Sequence, residues 1–407
     1  MAAAAAVLCG CTQSGGEGTP APSAPPTPSG HQAALTLDTH VDIPFDFATP
    51  AVDPLSADLQ VNLEKMRFGG LDAAFFIVYV GQTARTAQNY VAAQNDAMTK
   101  FNAIRRMTDE LYPDRIGLAY ASDDVERLIA EDKLAAAIGI ENGYVIGRNL
   151  ELLDRYHELG ARYMTLVHNG HNDIADSAAP REELGDAESE HDGVSEFGEQ
   201  VIARMNELGI MVDVSHASKQ SALDAIRLSR APVIASHSSV RGVADHPRNL
   251  DDETLLAIRD NGGVVQIVAF DAYVKVQPEQ AAAEGALRER FGVSTASDIN
   301  ALAEPQRTEF LQGIREIQNE WPPSTVEDFV DHIDYAVDLI GIDHVGISSD
   351  FGGGGGLIGW TDASETPNVT AELERRGYSA EDVEKIWSGN LLRVWRGVER
   401  IAADEAR

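Results

Sequence analysis

Short apolar runs bounded by turn-forming residues recur along the chain from Leu35 onward: 35–39, 73–80, 135–140, 163–167, 210–214, 233–236, 264–268 and 345–348. Runs of this length, apolar at nearly every position, predict strands buried on both faces, as in a parallel sheet covered by helices. Between them the apolar positions switch to helical spacing. Phe197, Val201, Ile202, Met205 and Leu208 follow Ser195, a natural N-cap. Val326, Phe329, Val330, Ile333 and Val337 follow Ser324, with Glu327 placed to complete a capping box. Strand and helix alternate throughout, which predicts an α/β fold, and eight strands fit a closed (β/α)8 barrel of the TIM type. A ninth apolar run, 116–120, fits that barrel only if it lies outside the cylinder or if one of the eight strands is misassigned. The charged, mostly helical stretch 275–321 reads as an insertion over the barrel mouth or flank.

The first 33 residues follow different rules. Met1–Leu8 is an apolar stub, and Leu8-Cys9-Gly10-Cys11 resembles a bacterial lipobox with Cys11 as the acylated residue. Residues 12–33, rich in Pro, Ser, Gly and Thr, cannot bury a core and are expected to form a disordered tether. The expected organisation is therefore a lipoprotein signal segment over 1–11, a tether over 12–33 and a single (β/α)8 barrel over 34–404. Such a protein would work outside the cytoplasm, anchored to the membrane through Cys11 or periplasmic. Cys9 and Cys11 are the only cysteines of the 407 residues, so any metal in the barrel is held by nitrogen and oxygen.

Charge narrows the partners. With 32 basic and 65 acidic residues, a formal charge of -33, the chain is unsuited to nucleic acid, whose phosphates call for clustered Lys and Arg. No stretch of about 20 apolar residues is present to span a bilayer.

Six side chains able to bind metal or handle protons, His40, Asp42, Glu141, His216, His237 and Asp350, each sit at the downstream end of an apolar run. Parallel barrels gather their chemistry at the carboxyl ends of their strands, so these six are expected on one rim. His40 and Asp42, two apart in extended chain, face the same side and can share an ion. Glu141 is delivered into the site by a buried strand, where a bare carboxylate is costly unless paired or metal-bound. His40, Asp42, Glu141, His216 and His237 make five nitrogen and oxygen ligands, more than the three that a single catalytic zinc usually takes, which suggests two ions with Glu141 as the bridge. The Ser-His-Ser-Ser segment 236–239 shows no local base and orienting acid for a serine nucleophile.

Eight segments carry a closer likeness: DTHVDIP (38–44), IGIENG (138–143), GARYMTLVHN (160–169), MNELGIMVDVSHAS (205–218), VIASHSSVR (233–241), HPRNLDDE (246–253), HVGISSDF (344–351) and RGYSAEDVEKIWSGNLLRV (376–394). Together they resemble the membrane, or renal, dipeptidase family of zinc metallopeptidases. The resemblance implies two zinc ions, one on His40 and Asp42, the other on His216 and His237, with Glu141 between them. It implies hydrolysis of dipeptides by a hydroxide held by both metals, with tolerance for a D-residue at the carboxyl end. It assigns His168 to the oxyanion side, Arg248 to the substrate carboxylate and Asp350 to acid/base work. His171, three residues from His168, competes for the same role, but His168 directly follows its strand.

Gly352, opening a glycine run to Gly356, stands where relatives often carry an acidic residue, and predicts a mobile loop at the mouth. The barrel lacks the cysteines of the animal enzymes, so disulfide-linked dimers are not implied, while a homodimer is compatible with the sequence. Two other readings stand beside this one: an amidohydrolase-type barrel acting on a cyclic amide or lactone, and a non-catalytic solute-binding lipoprotein.

Overall fold

The computed structural model describes residues 28–293 and 296–405. Nine strands form one parallel sheet: β1 Leu37–Asp42, β2 Ala73–Tyr79, β3 Ile116–Leu118, β4 Leu134–Glu141, β5 Ala161–Thr165, β6 Met211–Asp213, β7 Ile234–Ala235, β8 Val264–Val268 and β9 Val345–Ser348. Eight of them run in the order β1-β2-β4-β5-β6-β7-β8-β9, and β3 pairs only with β4, off that path. The ring is nearly closed: Asp42 N–H donates to Phe351 O at 2.8 Å, and Ser349 N–H donates to the Asp38 carboxylate at 2.9 Å. This is a (β/α)8 barrel, with the ninth apolar run outside it.

Side-chain alternation along each strand builds two cores. On β2, Ala74, Phe76 and Val78 pack outward beneath the helices, while Ala73, Phe75 and Ile77 join the second cluster, which includes Leu391 and Trp395. The helix Asn390–Glu405 supplies those last two, with the Phe75 and Trp395 rings 5.4 Å apart. One end of the barrel is thus filled by apolar packing. The other, where the strands finish, carries the polar cleft.

Strand ends differ from expectation by a few residues. β1 runs on to Asp42, placing both His40 and Asp42 within the strand, whereas β6 and β7 stop short, so His216 and His237 lie in the loops that follow. Ser195 caps its helix as expected, accepting from Gly198 N–H at 2.9 Å. The second expected cap is one residue off. Thr325 and Asp328 form the capping box, because Ser324 Oγ is drawn away to donate to Asp271.

Between β8 and β9, helices Pro278–Phe291 and Glu304–Glu320 form a lobe with a small core of its own, built on Val293, Ile299, Phe310 and Ile314. Most of the expected tether, with Cys11, lies outside the described residues. Its last part is not a tether: Ser29–Ala33 is a helical turn. His31 there is buried and ties the turn down, bonded to Thr370 Oγ1 at 2.9 Å and to Gly69 O at 2.8 Å.

Candidate active site

The carboxyl ends of the strands surround a cleft of about 500 Å³ lined by Asp42, Glu141, His168, His216, His237, Arg248 and Asp350, among others. Glu141 is its centre. Its Oε2 faces His40 Nε2 at 3.6 Å, while its Oε1 faces His216, His237 and His168 Nε2 at 3.0, 3.4 and 3.6 Å. His40 Nε2 is also 3.5 Å from Asp42 Oδ2 and 3.9 Å from Asp350 Oδ1. Three groups have ligand atoms close enough to hold an ion: His40, Glu141 and His237; Glu141, His168 and His216; His40, Asp42 and Asp350.

The other ring nitrogens of His40, His237 and His216 explain why their Nε2 atoms point inward. His40 Nδ1 is 3.0 Å from Tyr163 Oη, whose hydroxyl donates to Thr39 O and can therefore only accept from the imidazole. His237 Nδ1 is 2.7 Å from Ser236 Oγ, whose proton goes to Asp213 Oδ2 at 2.6 Å. His216 Nδ1 is 3.2 Å from Asn169 Oδ1. Each imidazole donates through Nδ1, which leaves the Nε2 lone pair for a cation, the arrangement that metal-binding histidines use. His40 Nε2 is buried without a hydrogen-bond partner among the described residues. Nitrogen and carboxylate donors with lone pairs converging in a buried pocket fit a divalent metal. Ser236, which a serine-nucleophile reading would favour, is buried and fully engaged in holding His237.

The backbone is strained where it aims these groups. His216 has φ of 65° and Asp350 of 57°, both left-handed. The Asp350 main-chain carbonyl accepts from Gly353 and Gly355 N–H at 3.1 and 2.8 Å, while its carboxyl turns toward His40. The glycine run, expected as a mobile loop, is hydrogen-bonded at both ends in this structure. Gly352 N–H is held by Gln60 Oε1 at 2.9 Å and Gly356 N–H by Ala269 O at 2.8 Å. Glycine is required for space: a Cβ at Gly353 would collide with the Asp42 and Asp350 carboxylates, and one at Gly355 with Ser349 O.

Burial and close opposite charges compete in setting the electrostatics; at His40 the Glu141 and Asp42 carboxylates win and raise the imidazole well above its ordinary value. Burial raises the Asp350 carboxyl well above the usual carboxylate range, with Asp42 and Glu141 adding to the effect and His40 opposing it. It would raise Glu141 as well, but the surrounding histidines, His168 and His40 foremost, hold that carboxyl well below its ordinary value. Burial lowers His168, and it lowers His237 to about 3.

His168 and His171 are separated by their surroundings. His171 accepts from Ser177 N–H at 2.9 Å and bonds Ala187 O at 3.0 Å, so both its nitrogens serve the loop, whereas His168 lines the cleft. Arg248 is buried, donates to His237 O at 3.3 Å and lies with its guanidinium 5.3 Å from the Tyr273 ring centre. It does not cap the acidic segment after it; Asp251 caps that helix itself, and Lys219 pairs with Asp251 and Glu253. Sequence reasoning missed Tyr163, Ser236 and Asp213, whose hydroxyls and carboxylate carry no motif of their own, and Lys100, which enters the cleft from a helix.

A parallel barrel with such a cluster on its rim defines a metal-dependent hydrolase. The chain matches the family Membrane dipeptidase (Peptidase family M19) over residues 31–407 and belongs to it. It is 32% identical to dipeptidase tcpJ of Claviceps purpurea, an alignment covering 85% of this chain and 71% of that one. Dipeptidase ataJ of Aspergillus terreus is also 32% identical, over 91% of this chain and 86% of its own length. Among solved structures, the probable dipeptidase PvdM from Pseudomonas aeruginosa superposes with a TM-score of 0.81 at 34% identity, covering 91% and 97% of the two chains. The protein is accordingly a metallo-dipeptidase, and the solute-binding reading falls away.

Proposed function

We propose that the protein is a two-zinc dipeptidase in which His40 and Asp42 would hold one ion, His216 and His237 would hold the other, and Glu141 would be shared between them. The observation that carries this reading is the placement of Nε2 atoms on both sides of one buried carboxylate, each imidazole pinned through Nδ1. Zinc bound there would supply Lewis acidity and bring the pKa of water toward neutrality.

The chain's own groups do the rest. Asp350 takes the proton of the attacking water and returns it to the departing amine, a task suited to a carboxyl whose pKa burial has raised. His168, kept neutral by burial, donates to the carbonyl oxygen as charge develops there. Arg248 offers its fork to the free carboxylate of the substrate, which restricts cleavage to peptides ending one residue past the scissile bond. Dipeptides of two L-residues, and those with a D-residue at the carboxyl end, are the proposed substrates. The test is an assay of Ala-Ala and L-Ala-D-Ala with metal analysis of the same sample. Two zinc ions per chain and chelator-sensitive cleavage of both are expected; zinc-loaded protein that cleaves no dipeptide overturns the reading.

Cys11 is proposed as a lipid attachment point, placing the enzyme outside the cytoplasm. Metabolic labelling with a radioactive fatty acid should mark the wild type and not Cys11→Ser.

A further inference from the structure

A second cation enters the cleft from the side facing Arg248. Lys100 lies on the helix Ala87–Arg105, is only 3% exposed, and lines the same cavity as Glu141 and His168. Its Nζ sits between two aromatic rings, 5.2 Å from the centre of Phe45 and 5.4 Å from that of Tyr79. The Tyr79 ring in turn packs against His168, their centres 4.9 Å apart. No carboxylate lies within ion-pairing distance of Lys100 among the described residues. The carboxylates of Asp42, Glu141 and Asp96 act on this ammonium only from beyond contact distance, which leaves the buried charge incompletely compensated.

The strand order fixes where this charge stands relative to the proposed carboxylate clamp. Lys100 overlies Tyr79 at the end of β2, whereas Arg248 follows β7 and touches His237 O. In the ring β1-β2-β4-β5-β6-β7-β8-β9, β2 and β7 are four places apart in either direction, so the two cations face each other across the mouth. A dipeptide with its terminal carboxylate on Arg248 and its peptide bond over the Glu141 cluster extends its first residue toward Lys100.

We propose that Lys100 is a specificity residue that selects dipeptides whose first residue carries an acidic side chain, Glu or Asp, by receiving that carboxylate between Phe45 and Tyr79. This rests on the dipeptidase reading above and adds the substrate class to it. The Phe45 and Tyr79 rings limit water around the ammonium, so a carboxylate placed there gains a charge-assisted hydrogen bond that a carboxamide of the same shape cannot match.

The experiment compares kcat/KM of the zinc-loaded full chain for Glu-Ala against Gln-Ala, and for Asp-Ala against Asn-Ala, with Ala-Glu and Ala-Ala alongside. The acidic member should be preferred roughly tenfold to a hundredfold, carried mainly by KM. In Lys100→Met that ratio should fall to about one, and in Lys100→Arg, which keeps the charge, it should persist in part. Each ratio is internal to one protein, so a general loss of activity does not mimic the result; if Lys100→Met does not fold, Lys100→Gln carries the same comparison. A wild-type ratio near one, a preference confined to Ala-Glu, or a preference surviving the loss of the charge overturns the proposal while leaving the dipeptidase standing. Hydrolysis of none of the six peptides would instead overturn the dipeptidase reading itself.

Discussion

The Nε2 atoms of His216 and His237 are 2.9 Å apart, and both rings donate through Nδ1. Two lone pairs at that separation repel unless a positive charge lies between or beside them, so the site is least stable when it holds no cation. Metal binding should therefore stabilise the fold as well as enable catalysis. With free zinc at a hundred times Kd the gain is about 2.7 kcal/mol. Thermal unfolding of chelator-treated and zinc-reloaded protein measures it; identical Tm values would count against a cation at this position.

Ser236 receives the Nδ1 proton of His237 and passes its own to Asp213. Ser236→Ala removes that acceptor without touching a proposed ligand. Metal affinity should fall roughly 10- to 100-fold, read by competition against a chromophoric chelator, with the folded state retained.

Arg248 is the proposed receiver of the substrate carboxylate, and its Nε is buried with no partner among the described residues. Wild type should cleave Ala-Ala far better than its carboxyl amide. Arg248→Met should lower kcat/KM for Ala-Ala by roughly a hundredfold or more, since a buried charged hydrogen bond is lost, and should erase the preference over the amide. A preference unchanged in the variant would remove Arg248 from this role.

Two glycines two residues apart in the same turn should fail differently. Gly353→Ala presses on the Asp42 and Asp350 carboxylates, and is expected to depress kcat at least about tenfold with a modest change in Tm. Gly355→Ala presses on the Ser349 carbonyl, which cannot swing aside, and should cost about 1–3 kcal/mol of stability. Paired activity and melting data on both variants distinguish the two effects.

His157 gives the acid limb of stability a specific contributor. Burial, then the Arg162 cation, lowers its pKa to about 4. An unfolded histidine titrates near 6.5, so between roughly pH 6.5 and 4 the unfolded chain takes up a proton that the native state refuses, and stability falls as pH falls. Above that window the group contributes no pH dependence. His157→Gln should flatten the Tm-against-pH curve between pH 4 and 6.5 relative to wild type and leave its slope at pH 8 unchanged.

Much of this architecture is legible in the linear chain. Apolar runs such as 264–268 and 345–348 coincide with β8 and β9, because a strand buried on both faces is apolar at most positions and leaves a nearly contiguous signal. His40, Asp42, Glu141, His216, His237 and Asp350 announce themselves by position, each polar where an apolar run ends. Other features had no such trace. Ser324 looks as good a cap as Thr325 until Asp271, 53 residues away, claims its hydroxyl. The glycine run reads as freedom until two carboxylates and a carbonyl are found pressed against it.

The order of residues thus determined the barrel, the rim and the identity of the groups on it, since burial and strand ends are local properties of a sequence. Only the tertiary structure decided which way those groups point. The partners that fix the imidazoles, Tyr163 for His40 and Ser236 for His237, and the placement of Lys100 opposite Arg248, come from separate strands and helices. Hydrogen bonds and facing charges across a barrel depend on ring closure, and no spacing along the chain encodes that distance.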